Sequence, residues 1–190
     1  MSILAFSGSL RALSSNAALA RFAASCSSAV ILSPKLDTLP FYDGDVEDSG
    51  LPPAVAALRA QAFSASAFLF ATPEYNGFTS AALKNAIDWL SRSGVEGVHP
   101  FKGKPFAVVS AGGGGGGARA QREIIAIGTD FKMPHIGAAA PICVKLFDGV
   151  ARFDGATGDL VDADVKARVA ALVAELEAAA AAHKAAVAKA

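Results

Sequence analysis

A continuous apolar run at residues 67–71 ends abruptly at Pro73, and a helical pattern begins near Ser80 after a short polar loop. A run without polar alternation is typical of a strand that is buried on both faces. Such strands belong to parallel sheets, in which helices connect one strand to the next and cover both faces. This segment therefore predicts an α/β fold.

The rest of the chain supplies further strands and helices in alternation. Strands are predicted at residues 2–7, 29–32, 67–72, 105–110 and 136–144, the last interrupted by Pro141. Helices are predicted at residues 16–26, 52–63, 80–91 and 119–130, and from Asp162 or Asp164 to about His183. Predicted loops are residues 33–50 and 93–104, with a turn or small hairpin at 147–160.

This alternation predicts a three-layer α/β/α sandwich. Right-handed crossovers favour a five-stranded parallel sheet of order 2-1-3-4-5. We expect one domain over residues 1–190, in which residues 178–190 form an Ala-rich helical tail.

Composition and charge exclude several classes of function. The 190-residue chain has 17 basic and 17 acidic side chains, and this neutrality argues against a nucleic-acid surface. We read no signal peptide or membrane-spanning run, and we expect a cytoplasmic protein. The 3 histidines are scattered, without the spacing of metal ligands. Cys26 and Cys143 are predicted to be buried and reduced.

The loop after the first strand, residues 8–16, is rich in groups that donate hydrogen bonds to anions. Serine hydroxyls, the Asn16 amide and the Arg11 guanidinium lie where a helix begins and its first N–H groups are free. The spacing matches neither a triphosphate-binding loop nor a dinucleotide fingerprint, which favours a phosphate monoester. The alternative is a helix cap at Ser14 or Ser15, with Arg11 facing solvent.

Two more loops have features of a binding site. Residues 73–77 combine a rigid proline, an aromatic ring and polar groups, which suits a flat ring system with polar edges. Residues 110–119 contain a glycine run whose N–H groups can approach a ligand closely. The alternatives are a surface turn made by Asn76 and Gly77 and a disordered glycine linker. Because the three loops follow adjoining strands, we expect them to line one crevice.

The helix predicted at residues 80–91 is mostly scaffold. Its predicted buried stripe consists of Leu83, Ile87 and Leu90. Lys84 and Asn85 either support the preceding loop or face solvent.

Three motifs together resemble a known family. They are Gly8-Ser9-Leu10-Arg11-x-x-Ser14-x-Asn16, Thr72-Pro73-Glu74-Tyr75-Asn76-Gly77 and Leu83-Lys84-Asn85-Ala86-Ile87-Asp88-Trp89. Over roughly residues 2–145 the chain resembles the NADPH-dependent FMN reductases, including their chromate and quinone reductase branch. The glycine run at residues 112–117 departs from the family's more varied stretch.

The resemblance implies a flavodoxin-like fold that binds FMN without a covalent bond. The implied contacts to the 5′-phosphate come from Ser9, Leu10, Arg11, Ser14, Ser15 and Asn16. Those beside the isoalloxazine come from Pro73, Glu74, Tyr75, Asn76 and Gly77, and those at its pyrimidine edge from Ser110, Ala111, Gly112 and Gly113.

The resemblance also implies an oxidoreductase in which the cofactor supplies the reactivity and the protein supplies position. A hydride would pass from NADPH, or NADH, to FMN, and the electrons then to a quinone, free flavin, chromate or azo dye. Family members are usually homodimers, or homotetramers built from dimers. Two other functions stay open from the sequence: a flavodoxin-type electron carrier, and a flavin-binding redox sensor without turnover.

Overall fold

The computed structural model describes residues 1–92 and 97–188, which form alternating strands and helices. The strands are β1 (Ile3–Ser7), β2 (Val30–Leu32), β3 (Ala67–Thr72), β4 (Phe106–Gly112) and β5 (Ile142–Lys145). The α-helices are α1 (Ser15–Cys26), α2 (Gly44–Asp48), α3 (Pro53–Ser64), α4 (Ala81–Leu90), α5 (Ala118–Asp130) and α6 (Ala163–Val187). Part of the predicted 93–104 loop and the end of the predicted tail lie outside the described residues.

The sheet has the predicted topology. Its 5 strands are parallel and lie in the order β2-β1-β3-β4-β5. At their carboxyl ends Ser7 is in register with Ala71, and Thr72 with Ser110. The loops that leave β1, β3 and β4 therefore start from adjoining positions.

Two helical layers explain the uninterrupted apolar run at residues 67–71. Leu69 and the alanines two positions before and after it face α1 and α6. Phe68 and Phe70 face α3, α4 and α5. Both faces of β3 are thus removed from water, which confirms the predicted three-layer sandwich.

Several boundaries differ from the predictions. The predicted loop at residues 33–50 contains a 3-10 turn, Leu36–Thr38, and the short helix α2. The Asp43 side chain caps α2 by accepting a hydrogen bond from the Asp45 N–H at 2.9 Å. β5 begins only after Pro141, because proline has no main-chain N–H for a strand ladder.

Other differences lie at the chain's later elements and cysteines. β4 runs to Gly112, so the glycine run begins inside a strand. The last helix is capped by Asp162 and continues past His183. Cys26 is exposed and Cys143 is partly buried, so the prediction that both are buried was wrong; both thiols are free.

Helix α4 anchors the segment after β2. Its predicted stripe is buried as expected. The buried Asn85 side chain accepts a hydrogen bond from the Tyr42 N–H at 2.8 Å and donates one to the Pro40 carbonyl at 2.9 Å. The Trp89 indole N–H donates to the same carbonyl at 2.8 Å. Asn85 therefore fits neither of its two predicted alternatives, because it is buried and supports the segment after β2. The half-exposed Lys84 pairs with Asp88 one turn along the same helix.

We expect Asn85→Ala to lower the free energy of unfolding by about 1–3 kcal/mol, because it leaves the Tyr42 N–H without its partner. Urea denaturation measures this change. Lys84→Ala, on the same helix, is the matched control and should stay within about 0.5 kcal/mol of the unchanged protein. Equal losses in the two variants would contradict the anchoring role.

Candidate functional site

An open cleft of about 600 Å³ lies at the carboxyl ends of β1, β3 and β4. This confirms that the three loops share one crevice. The predicted residues that line it are Ser9, Arg11, Ser14, Ser15, Asn16, Pro73, Glu74, Tyr75, Ala111, Gly112 and Gly113. Four predicted residues do not line it: Leu10, Asn76, Gly77 and Ser110.

The first two loops touch at Gly8. Its N–H donates to the Ala71 carbonyl at 2.8 Å, and its own carbonyl accepts a hydrogen bond from the Ser80 hydroxyl at 2.5 Å. A Cβ added at Gly8 would lie 2.8 Å from the Ser80 oxygen and 3.1 Å from Cδ of Pro73. Glycine is required here because a side chain would push the two loops apart.

The start of α1 combines a cap with donors that stay available. The buried Ser14 side chain accepts a hydrogen bond from the Ala17 N–H at 3.1 Å, so the capping interpretation is confirmed. The N–H groups of Ser15 and Asn16 donate to no other atom in the described part of the chain. Arg11 is exposed at the same end of the cleft. An anion beside the cap can therefore accept hydrogen bonds from these two N–H groups and from Arg11.

The Asn16 side chain connects the start of α1 to β4. Its side-chain amide donates to the Ala111 carbonyl at 2.9 Å, and its oxygen accepts from the Ala111 N–H at 2.8 Å. The side chain is buried, so both of its polar atoms are engaged within the protein. Asn16 therefore braces β4 against α1, which fixes the first loop relative to the third. The Ala111 N–H is likewise engaged by Asn16.

Ser110 is also a bracing residue. It is fully buried, donates to the Gly116 carbonyl at 2.6 Å and accepts from the Gln121 side chain at 2.9 Å. Gln121 in turn donates to the Ile142 carbonyl at 2.8 Å. The Ser110 side chain thus lies beneath the glycine run and not in the cleft.

The glycine run forms a closed turn, so the disordered-linker interpretation was wrong. Gly116 and Gly117 have φ angles of +63° and +87°. A Cβ at Gly116 would lie 2.7 Å from the main-chain carbonyl of Cys143. Gly114 and Gly115 are exposed, and a Cβ at either would meet nothing within 4 Å. One end of the run is therefore packed, whereas the N–H groups of Gly114 and Gly115 in its exposed middle donate to no described acceptor, and Gly113 beside them lines the cleft.

Glu74 joins the second loop to the start of α5. Its carboxylate accepts hydrogen bonds from the Arg119 N–H at 3.0 Å and from Arg119 Nε at 2.9 Å. Partial burial raises the pKa of the Glu74 carboxyl, but the hydrogen bonds and charge of Arg119 outweigh it and hold the pKa below its ordinary value. Glu74 therefore stays ionised at neutral pH.

The tip of the second loop is a tight turn, as the alternative interpretation predicted. Tyr75 and Phe78 exchange two main-chain hydrogen bonds, at 3.0 and 3.1 Å. Asn76 and Gly77 adopt left-handed φ angles of 54° and 88°. The turn leaves the Tyr75 ring half exposed on the cleft wall.

The Glu74–Arg119 ion pair should make the stability of the protein depend on pH. A carboxyl whose pKa is lowered on folding stabilises the protein above its ordinary pKa of 4.5, and this contribution is lost as pH falls through the lowered value. We expect Glu74→Gln to lower the melting temperature at neutral pH, and the gap to narrow below pH 4.5. Glu175→Gln, on the exposed face of α6, is the control. A gap that widens in acid would contradict the pairing.

Two cleft residues were missed from the sequence. Leu146 and Phe147 follow β5 and line the cleft beside Gly113. The Phe147 ring is 83% exposed, and a Cβ at Gly113 would contact it at 3.4 Å. An aromatic residue directly after the strand that adjoins β4 was the available signal.

Among residues 1–92 and 97–188 no group of three or more His, Cys, Asp or Glu side chains is placed to hold a metal ion. Within the same ranges no helix is long and apolar enough to cross a membrane.

Comparison with known proteins identifies the family. Residues 1–148 match the family model described as NADPH-dependent FMN reductase. The chain belongs to this family. The chain is 38% identical over 183 residues to a probable NADPH:quinone oxidoreductase from Oryza sativa subsp. japonica, covering 93% of this chain and 90% of the relative. The chain is also 44% identical over 117 residues to an NAD(P)H-dependent FMN reductase of Pseudomonas aeruginosa, and this match covers 57% of this chain and 58% of the relative.

A solved structure supports the same assignment. The flavoenzyme NAD(P)H:(acceptor) oxidoreductase of Paracoccus denitrificans superposes on this FMN reductase with a TM-score of 0.76 and 26% identity, covering 94% of this chain and 98% of that one. The fold is therefore flavodoxin-like. The chain is an oxidoreductase of the NAD(P)H-dependent FMN and quinone reductase class.

The residues of the cleft fit FMN. One end offers the donors that suit a phosphate monoester: Arg11, serine hydroxyls and two helix N–H groups. The other end offers an aromatic wall at Tyr75 and unpaired glycine N–H groups, which suit a flat heterocycle.

Proposed function

We propose that this FMN reductase holds FMN in the cleft, accepts reducing equivalents from NADPH or NADH, and delivers them to a quinone. One observation carries the proposal: anion donors at the start of α1 share a single cleft with the loop at residues 73–77 and the glycine turn. FMN, when bound, supplies the two-electron chemistry, and the protein's task is to bind and orient it.

At the phosphate end we assign binding to Ser9, Arg11, Ser15 and the N–H groups that begin α1. Arg11 presents a planar fork that matches phosphate oxygens, and the helix start adds a favourable dipole. Ser14 accepts a hydrogen bond from the Ala17 N–H, which leaves its own O–H able to donate to the phosphate. The Asn16 side chain acts one step away, because both of its polar atoms are engaged with Ala111 and hold the first loop in position.

At the ring end we assign the walls to Pro73 and Tyr75 and the polar edge to the glycine turn. The N–H groups of Gly113, Gly114 and Gly115 donate to no other described atom, so they are available to a heterocycle's oxygen or nitrogen acceptors. Donors of this kind stabilise negative charge that develops during reduction. Glu74 fixes the wall by its bonds to Arg119, and Asn76 and Gly77 shape the turn.

The cleft is open and has aromatic walls. Tyr75 and Phe147, which line it, are 50% and 83% exposed, and Phe78, bonded to Tyr75 in the same turn, is 61% exposed. Exposed rings around a cleft are typical of a surface that a second protein covers. We therefore propose that the protein works as a homodimer, or as a homotetramer built from dimers, with partner subunits closing the mouth. A cytoplasmic location stays a prediction from the sequence.

Quinones are the proposed acceptors because the relative from Oryza sativa is described as a probable NADPH:quinone oxidoreductase. The test is anaerobic stopped-flow spectroscopy on the FMN-loaded protein. Mixing with NADPH should bleach the flavin absorbance near 450 nm within about a second, and a quinone should restore it. Free FMN, chromate and an azo dye are compared under the same conditions. Bleaching that takes many minutes would contradict the reductase and favour a carrier.

A further inference from the structure

A second groove adjoins the flavin cleft on its β2 side. We call it the basic groove; it is formed by residues 9–12 of the first loop, residues 32–36 after β2, and the first half of α1. It offers about 750 Å³ of space. Ser9 and Arg11 line both the groove and the flavin cleft, so the two form one continuous surface.

The charges of the basic groove have one sign. Among the described residues that line it, the ionisable ones are Arg11, Arg21 and Lys35, and none is a carboxylate. In a chain with no net charge this is a local excess of positive charge. Asp159 pairs with Arg21 at 3.0 Å, but the two side chains are 64% and 40% exposed, so the pair is weak and can exchange for a stronger anion.

Apolar side chains lie beside these cations. Leu10 and Leu32 are 52% and 43% exposed, and both line the groove with the buried Leu36. A surface that puts apolar side chains next to arginine and lysine suits a nucleotide, whose base packs on carbon and whose phosphates pair with cations.

We propose that the basic groove binds the adenosine half of NADPH and that Lys35 and Arg21 recognise its 2′-phosphate. This rests on the proposed function, since the dinucleotide must reach from the flavin cleft into a neighbouring site. NADPH and NADH differ only in the dianionic 2′-phosphate, which is the group that a cluster of cations distinguishes. Arg11 lines both the groove and the flavin cleft, so an Arg11 substitution does not separate NADPH binding from FMN binding.

The experiment uses the FMN-loaded full chain and its Lys35→Ala variant. KM for NADPH should rise about five- to tenfold, the effect of losing one exposed charge-assisted hydrogen bond. KM for NADH and the dissociation constant of FMN should each stay within about twofold. In the double variant that also carries Arg21→Ala, KM for NADPH should rise further, whereas KM for NADH should stay within about twofold. Lys102→Ala removes an exposed lysine outside the groove and serves as the control.

A binding measurement separates this proposal from the proposed function. Calorimetry with adenosine 2′,5′-bisphosphate should show binding to the unchanged protein and to Lys102→Ala, and weaker binding to Lys35→Ala. If the FMN-loaded protein oxidises neither dinucleotide, the proposed function fails. The calorimetry still shows whether the basic groove binds the bisphosphate through Lys35. Absence of bisphosphate binding, equal effects of Lys35→Ala on NADPH and NADH, or a loss of FMN affinity would each overturn the proposal.

Discussion

Arg11→Ala should raise the dissociation constant of FMN roughly ten- to a hundredfold. The expected loss is about 1.5–3 kcal/mol, the value of hydrogen bonds to a charged group. The guanidinium is exposed at the same end of the cleft as the free N–H groups of α1, so both can bind the same phosphate. Quenching of flavin fluorescence measures the constant.

Two controls sharpen this result. Arg122→Ala removes an exposed arginine of α5 that does not line the cleft, and it should leave FMN affinity unchanged. Riboflavin lacks the phosphate, so its weaker binding should be the same in Arg11→Ala and in the unchanged protein. An FMN dissociation constant unaffected by Arg11→Ala would exclude Arg11 as a phosphate ligand.

Gly116→Ala should lower the free energy of unfolding by about 2–5 kcal/mol. The φ angle of +63° costs alanine about 1–2 kcal/mol. Its Cβ would also lie 2.7 Å from the Cys143 carbonyl, and forcing main-chain atoms apart costs about 1–3 kcal/mol more. Because the displaced turn also carries Gly113 to Gly115, FMN affinity should fall as well. Urea denaturation and flavin titration measure the two effects.

The same run supplies a matched control. A Cβ at Gly114 would meet nothing within 4 Å, and its φ angle is not positive. Gly114→Ala should therefore keep the stability within about 0.5 kcal/mol. If Gly114→Ala and Gly116→Ala destabilise the protein equally, the packed end of the turn does not have the role described here.

Local sequence pattern was sufficient for the architecture. The apolar run at residues 67–71 marks a strand buried on both faces, and strand order followed from the alternation with helices. Adjacent loops then had to meet at one edge of the sheet. The helix cap at Ser14 was also readable, since serine before a helical pattern is a local signal.

Contacts between distant residues were not readable. Asn16 and Ala111 are 95 positions apart, and an asparagine that braces a strand looks the same in sequence as one that binds an anion. Likewise, residues 114 and 116 are both glycine, but the space beside Gly114 is open, whereas Gly116 packs against Cys143. Only the approach of β5 to the glycine turn distinguishes them.

A crystal structure of the protein with FMN tests the central claim most directly. We predict that the phosphate lies within about 3 Å of Arg11 and the first N–H groups of α1, the distance of a charge-assisted hydrogen bond. The isoalloxazine should lie between Tyr75 and the glycine turn. A structure with FMN bound elsewhere, or with its phosphate turned away from the start of α1, would contradict the account.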